Sequence, residues 1–312
     1  MIRLSAIICT YNPRRDYLER TLESLRRQTL PLSEWEFILV DNASPEPLEK
    51  SVDLSWHPNG RVVREMKQGL TPARLRGLTE SKGTVLVYID DDNVLVPGYL
   101  AEALRLLEEN PELGAIGGKS IAEYEKQPPS WFPPMEGMIA CRDFGDEPMT
   151  ASWKGVAQEK RIYPKCSPVG AGMAIRREAM ERYAADLASN GMRQGLDRTG
   201  NSLASGGDND IVMTTLEHGW SVGYFPQLSL NHLIPARRVE EEYLARLTHD
   251  SSRTWVLVLD AHGMRPWTPV QRWSLPLRKA RAYLVLKAWR GGQHYIHWRT
   301  ACGMFEGRSQ IR

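Results

Sequence analysis

The chain has 312 residues, 42% hydrophobic and 25% charged, a globular balance with room for one large domain or a domain plus an extension. No stretch approaches the ~18 uninterrupted apolar residues of a membrane span, and the apolar run at residues 4–9 is too short for a signal-peptide core. Net charge is only +2, yet residues 276–312 hold eight basic residues against the single acid Glu306, an asymmetry that points to a tail meeting an anionic surface.

Residues 4–9 predict a short strand and Asn12-Pro13 a turn, with Pro13 starting a helix. That helix carries Tyr17, Leu18, Thr21, Leu22 and Leu25 at three- and four-residue spacings. Residues 35–40 read as a second strand, ending in the polar turn Asp41-Asn42-Ala43-Ser44, and residues 61–66 as a shorter third. Thr71 is the expected N-cap of the next helix, with Pro72 at its first position. Val85-Leu86-Val87-Tyr88-Ile89 then runs into Asp90-Asp91-Asp92. The apolar run fits a strand buried on both faces between helices. Two readings fit the three carboxylates: a crevice for a divalent cation such as magnesium or manganese, or an acidic turn capping the following helix.

Pro97 opens a helix that Asn110-Pro111 closes, and residues 115–121 predict a strand. Residues 122–168 carry Pro128-Pro129 and Trp131-Phe132-Pro133-Pro134 with no sustained period. Such a stretch within a compact domain is expected to be a lid or a substrate wall. Gly170 and Gly172 either let backbone approach a ligand or mark a bulge. A helix from about Arg176 to Gly191 follows, then the acidic sequence Gly206-Gly207-Asp208-Asn209-Asp210 leading into another helix. One or two strands are expected over residues 220–233. The longest helical pattern covers residues 239–260, with Glu240, Glu241 and Glu242 at its start. Strands alternating with helices, each strand ending in polar residues, predict a mainly parallel α/β sheet with its site along that edge.

Thr10-Tyr11-Asn12, the turn after Val40, Gly69-Leu70-Thr71-Pro72-Ala73-Arg74, Asp90-Asp91-Asp92 and Gly206-Gly207-Asp208-Asn209-Asp210 resemble, in order and spacing, the motifs of family 2 glycosyltransferases. The resemblance covers roughly residues 1–260. It implies a GT-A fold: a Rossmann-like, mixed but mainly parallel sheet flanked by helices. Residues 1–262 are then the catalytic domain, with a nucleotide-binding half (1–121) and an acceptor-binding half (122–262), and residues 263–312 form a basic, aromatic-rich helical extension. The implied activity belongs to the EC 2.4 class. A sugar moves with inversion from a nucleotide diphosphate sugar, UDP-linked by preference, to a hydroxyl of a sugar, lipid-linked or other acceptor, with a Mn2+ or Mg2+ ion.

Position by position, the resemblance puts Thr10, Tyr11 and Asn12 at the base pocket, with the Tyr11 ring on the base and Asp41 accepting a hydrogen bond from the base edge. Arg74 lies beside the nucleotide, or is a surface helix arginine. Asp90 holds ribose and Asp92 the metal, with Asp91 supporting either. Asp208 is the general base that takes the acceptor proton; alternatively it caps a helix starting near Asn209. The family pattern commonly has Glu before this Asp, where this chain has Gly207. His232 is a second metal ligand or a hydrogen-bonded core residue, and Arg237 and Arg238 meet diphosphate oxygens or form a solvated pair.

Within the tail, residues 276–289 show a basic amphipathic helix pattern among Trp and Tyr residues. A membrane surface, a packing role on the catalytic domain and an oligomer contact all fit it. No nucleic-acid-binding signature is present. The four cysteines lie far apart with no CxxC pair, which fits a reducing compartment; the expected location is cytoplasmic, with peripheral contact at the inner face of the membrane. A non-catalytic nucleotide-sugar-binding scaffold is the competing reading, and a sugar nucleotidyltransferase a weaker one, since Thr10-Tyr11-Asn12-Pro13 is no glycine-rich phosphate loop.

Overall fold

A computed structural model describes every residue except Met192, Asn201 and Arg312; Arg312, one of the basic residues of the tail, thus lies outside the described residues. The first half alternates as its sequence predicts: β1 (Leu4–Thr10), α1 (Arg15–Arg26), β2 (Trp35–Asp41), β3 (Gly60–Arg64), α2 (Leu70–Glu80) and β4 (Val85–Ile89). The reason is burial on both faces. Leu4, Ala6, Ile8, Phe37, Leu39, Val85 and Val87 pack against Leu18, Leu22 and Leu25 of α1. Ile7, Ile38, Val40, Leu86 and Tyr88 pack on the other face with Ala73 and Leu78 of α2. β1 pairs in parallel with both β2 and β4. The polar residues that follow these strands therefore gather on one edge.

β5 (Asn93–Leu95), α3 (Tyr99–Glu109), β6 (Leu113–Gly117) and β7 (Ser120–Tyr124) come next. The single strand expected over residues 115–121 is thus two, in different sheets. At the break, a Cβ on Gly118 would lie 2.0 Å from Leu228 O and 2.3 Å from Phe225 O, so only glycine lets the chain pass that backbone. The acidic turn does not cap α3, whose N-cap is Gly98, because β5 intervenes.

Residues 125–172 are irregular apart from short 3-10 turns and β8 (Met149–Ser152). Then follow β9 (Met173–Arg176), α4 (Arg177–Ser189), α5 (Gly207–Glu217), β10 (Ser221–Tyr224) and β11 (Leu230–Ile234). Among the described residues, one sheet runs β3-β2-β1-β4-β9-β6-β10-β8 and a small one β5-β11-β7. β9 is antiparallel to both β4 and β6, and β8 is an antiparallel edge strand.

Two helix starts differ from expectation. α2 begins at Leu70 with Gly69 as N-cap at φ 138°, backbone that glycine adopts readily, and the Thr71 hydroxyl turns to Asp197 instead. α5 begins at Gly207, with Asp208 inside its first turn rather than capping it.

The chain ends in α6 (Glu241–Ala261), α7 (Leu275–Val285) and α8 (Gly292–Arg308). The helix expected over residues 276–289 stops early, at Lys287 in left-handed backbone. α8 lies close along α6: a Cβ on Gly303 would stand 2.1 Å from His249 O, and one on Gly307 2.7 Å from Arg253 O. α7, by contrast, buries no residue. Among the described residues, no helix is long and apolar enough to cross a membrane.

Candidate active site

A cavity of about 540 Å3 opens at the carboxyl ends of β1 and β4. Its wall includes Thr10, Tyr11, Arg74, Asp90, Asp91, Asp92, Asp208, His232, Arg237 and Arg238. Motifs more than two hundred residues apart therefore share one space. Residues 137–140 complete the wall, so part of the irregular stretch faces the cavity.

The small sheet joins Asp92 to His232. β11 pairs antiparallel with β5, placing His232 opposite Asn93, and Leu233 N–H donates to Asp92 O at 2.8 Å. His232 Nε2 then lies 3.3 Å from Asp92 Oδ1. Arg238 closes the group, with Nη2 at 3.1 Å from Asp92 Oδ2 and Nη1 at 3.0 Å from His232 Nε2. An arginine only donates, so the Nε2 facing it carries a lone pair, the form a metal ligand requires. Burial works against an ionised Asp92, but His232 and Arg238 outweigh it and hold its carboxyl well below the usual range. One buried oxygen donor and one imidazole fit a divalent cation of the manganese or magnesium kind. Among the described residues no cluster of three or more metal-binding side chains exists, so such an ion would complete its coordination with phosphate oxygens and water.

Asp91 and Asp90 sit beside this pair with little solvent. Burial, and then the charge of Asp92, push Asp91 up to about 7 against a hydrogen bond from Thr10 Oγ1. The same two causes raise Asp90, with Arg74 opposing. Three adjacent buried acids cannot all ionise cheaply without an added cation.

Asp208 is fixed from two sides. Its Oδ2 accepts from Gly170 N–H at 3.0 Å and its Oδ1 from Asn209 N–H at 3.0 Å. Burial raises its carboxyl above the ordinary value, Arg74 pulls it down, and Asp197 pushes it up again. Arg74 is no surface residue: it is buried, and its Nη1 pairs with Asp197 Oδ2 at 3.1 Å. Gly170 leaves room for that guanidinium, since a Cβ there would lie 2.6 Å from Arg74 Nη2.

The nucleotide side is gathered less completely. Tyr11 is about half exposed, and Thr10 is buried on Asp91. Asn12 and Asp41 lie outside the cavity wall. Asn12 takes left-handed backbone, its N–H donating to Ser44 Oγ. Asp41 spends both oxygens on its own turn, accepting from Ser44 N–H at 2.9 Å and Leu48 N–H at 3.2 Å. Asn42 lines the wall instead, and ties the turn to residues 65–69 by donating to Glu65 O and Lys67 O and accepting from Gly69 N–H. Asn42 and Asp197 are the wall residues that sequence reasoning missed.

Comparison with known proteins agrees with this geometry. The chain is 26% identical over 152 residues to a glucosyl-dolichyl phosphate glucuronosyltransferase of Haloferax volcanii, covering 46% of this chain and 48% of that protein. It is 31% identical over 122 residues to a dolichol-phosphate mannosyltransferase of Pyrococcus furiosus, covering 38% and 34%. The chain thus spans about half the length of the first relative and about a third of the second. Among solved structures, the mannosyltransferase PcManGT of Pyrobaculum calidifontis, in complex with GDP-Man and Mn2+, superimposes with a TM-score of 0.56 at 20% identity, over 96% of this chain and 73% of that one. Residues 1–349 of S. aureus TarS give 0.50 at 16%, over 98% and 90%. These likenesses show the fold, which is of GT-A type. The family model described as glycosyl transferase family 2 matches residues 5–183, more than half of the chain, and the protein belongs to that family.

Proposed function

We propose that the protein is a metal-dependent, inverting glycosyltransferase that uses a nucleoside diphosphate sugar, with Asp208 as general base. One cavity carries this reading: a carboxylate–imidazole pair, Asp92 and His232, and a buried carboxylate of raised pKa, Asp208, line the same wall. The acceptor oxygen attacks the anomeric carbon, its proton passes to the Asp208 carboxylate, and the bond from that carbon to the diphosphate oxygen breaks, its electron pair leaving with the diphosphate. Asp92 and His232 would hold the divalent ion, which when bound offsets charge growing on the diphosphate. Arg237 and Arg238 line the same wall and suit its oxygens. Tyr11 offers a ring to the base, while Asp90 and Asp91 take the ribose side.

Uridine is the preferred base, with guanosine the other candidate because the PcManGT complex holds GDP-Man. A lipid-linked acceptor is favoured by the two dolichyl-phosphate relatives, and it suits the exposed face of α7 described below.

The test is thermal unfolding with a panel of UDP and GDP, with and without Mn2+, in wild type, Asp92→Asn and Asp208→Asn. A ligand that binds the folded state raises apparent stability, by about 2.7 kcal/mol at a hundred times its Kd. One nucleotide is expected to stabilise wild type and Asp208→Asn only with Mn2+, and to lose that effect in Asp92→Asn. Asp208→Asn is expected to lose roughly 100- to 10,000-fold in turnover while keeping donor binding. No stabilisation by any nucleotide would return the chain to a scaffold role.

A further inference from the structure

We infer that Asp197 is a positioning acid of this site, carried on the loop before α5 in the place where a side chain at position 207 would otherwise stand. The inference rests on the proposed reaction. A Cβ built on Gly207 would lie 2.1 Å from Asp197 Oδ2 and 2.4 Å from its Cγ. No side chain at 207 can coexist with that carboxylate where it is. Position 207 immediately precedes the proposed base, and an acid there is what this chain lacks. Asp197 delivers a carboxylate into the same volume from ten residues upstream.

The placement is built rather than incidental. Asp197 is buried. Its Oδ2 receives Arg74 Nη1 at 3.1 Å and Thr71 Oγ1 at 3.3 Å, and its Oδ1 accepts from Arg198 N–H at 2.9 Å. The loop is drawn back to the helix start by Gly206 N–H donating to Leu196 O at 2.9 Å. Gly206 allows that approach, since a Cβ on it would meet Thr254 and Val258 at 2.7 Å and Leu196 O at 2.8 Å. The two glycines of the acidic motif thus have separate tasks: Gly206 admits the loop against α6, and Gly207 admits the carboxylate.

The chemical consequence runs through Arg74. Asp197 occupies the guanidinium that would otherwise neutralise Asp208, and holds it against Gly170, whose N–H donates to Asp208. An Asp208 facing an unpaired Arg74 would be a weaker base. Asp197 touches none of the reacting atoms; it sets the charge and placement of groups that do.

The experiment compares wild type, Asp197→Asn, Gly207→Glu and the exchange Asp197→Gly/Gly207→Glu. Two readouts are used: thermal unfolding, and pH-dependent release of nucleoside diphosphate from UDP-glucose, UDP-N-acetylglucosamine, UDP-glucuronate and GDP-mannose with Mn2+, water serving as acceptor. Asp197→Asn keeps the size of the side chain and is expected to fold. Its kcat should drop roughly 10- to 100-fold, the scale for partners that orient a reacting group, with little change in donor KM. The acid limb of its pH profile should move to lower pH, because losing the 197 charge and freeing Arg74 both lower Asp208. Gly207→Glu alone should lose stability and turnover, and the exchange should regain both.

Wild-type turnover and an unmoved limb in Asp197→Asn would overturn the inference. An unfolded Asp197→Asn would do the same, as the role would then be structural. So would a Gly207→Glu as stable as wild type, or an exchange variant that recovers stability without turnover or recovers neither. A wild type silent on every donor would remove the functional reading first and the inference with it, an outcome distinct from variants that fail beside an active parent.

Discussion

Asp210 lies two residues beyond the proposed base, in the same acidic motif, yet it is fully buried away from the cavity. It pairs with Arg193 at 2.7 Å and with His262 Nε2 at 2.7 Å. Glu217 takes the other ring nitrogen of His262 at 2.9 Å. With both nitrogens facing carboxylates the imidazole is held as a donor at each end. Burial opposes the charged ring, but Asp210 and Glu217 outweigh it and raise its pKa above the ordinary value. The folded state therefore binds this proton more tightly than the unfolded chain. The resulting stability is full below about pH 6.5, the unperturbed histidine value, and fades as pH rises through the raised value. His262→Gln should accordingly lower the melting temperature most in acid, with the gap to wild type narrowing toward alkaline pH; a gap that widens would refute the assignment. At this scale the sequence disclosed residues whose chemistry is odd for their setting, such as three acids ending an apolar strand. It could not disclose Asp197, an ordinary loop acid whose partner Arg74 lies 123 positions away.

Elements were legible where burial imposes a period. β1, β2 and β4 read cleanly because both faces are covered, and α1 because Leu18, Leu22 and Leu25 keep one face. α8 was not, since its contact with α6 is made by absent side chains: Gly303 and Gly307 let backbone meet backbone, and no apolar stripe is needed there. Gly303→Ala should be felt strongly for the same reason. Its methyl would enter the van der Waals shell of His249 O, and overpacking of this kind costs about 1–3 kcal/mol. Denaturant unfolding of Gly303→Ala should show that loss, whereas Gly137→Ala, with nothing within 4 Å of the added Cβ, should show almost none. Equal effects would mean that α8 sits on α6 less closely than described.

For the molecule as a whole, the family match ends at residue 183, while Asp208, His232, Arg238 and the last three helices lie beyond it. The nucleotide half of the fold was therefore easy to read, and the acceptor half rests on geometry. α7 is where that half meets the exterior. Trp273, Leu277, Leu284, Val285 and Trp289 are all more than half exposed, among Arg278, Arg281, Lys287 and Arg290, an arrangement suited to an anionic lipid interface. If the acceptor is lipid-linked, the protein should sediment with phosphatidylglycerol vesicles and not with phosphatidylcholine vesicles. Leu277→Glu/Leu284→Glu should abolish that binding without changing the melting temperature. Failure to bind anionic vesicles would leave the face to another partner.

The pairing of β11 with β5 sets a limit on how this protein can diversify. His232 reaches Asp92 through strand register, opposite Asn93, and not through a loop of tuned length. Lengthening the connections on either side of β11 leaves that address intact, so they are free to carry new acceptor-recognition sequence. A slip of one residue within the three-stranded sheet would turn His232 outward and bring the exposed Asn231 in. Variation is open in the loops and closed in the register, which makes the small sheet the part of the site that a redesign should leave alone.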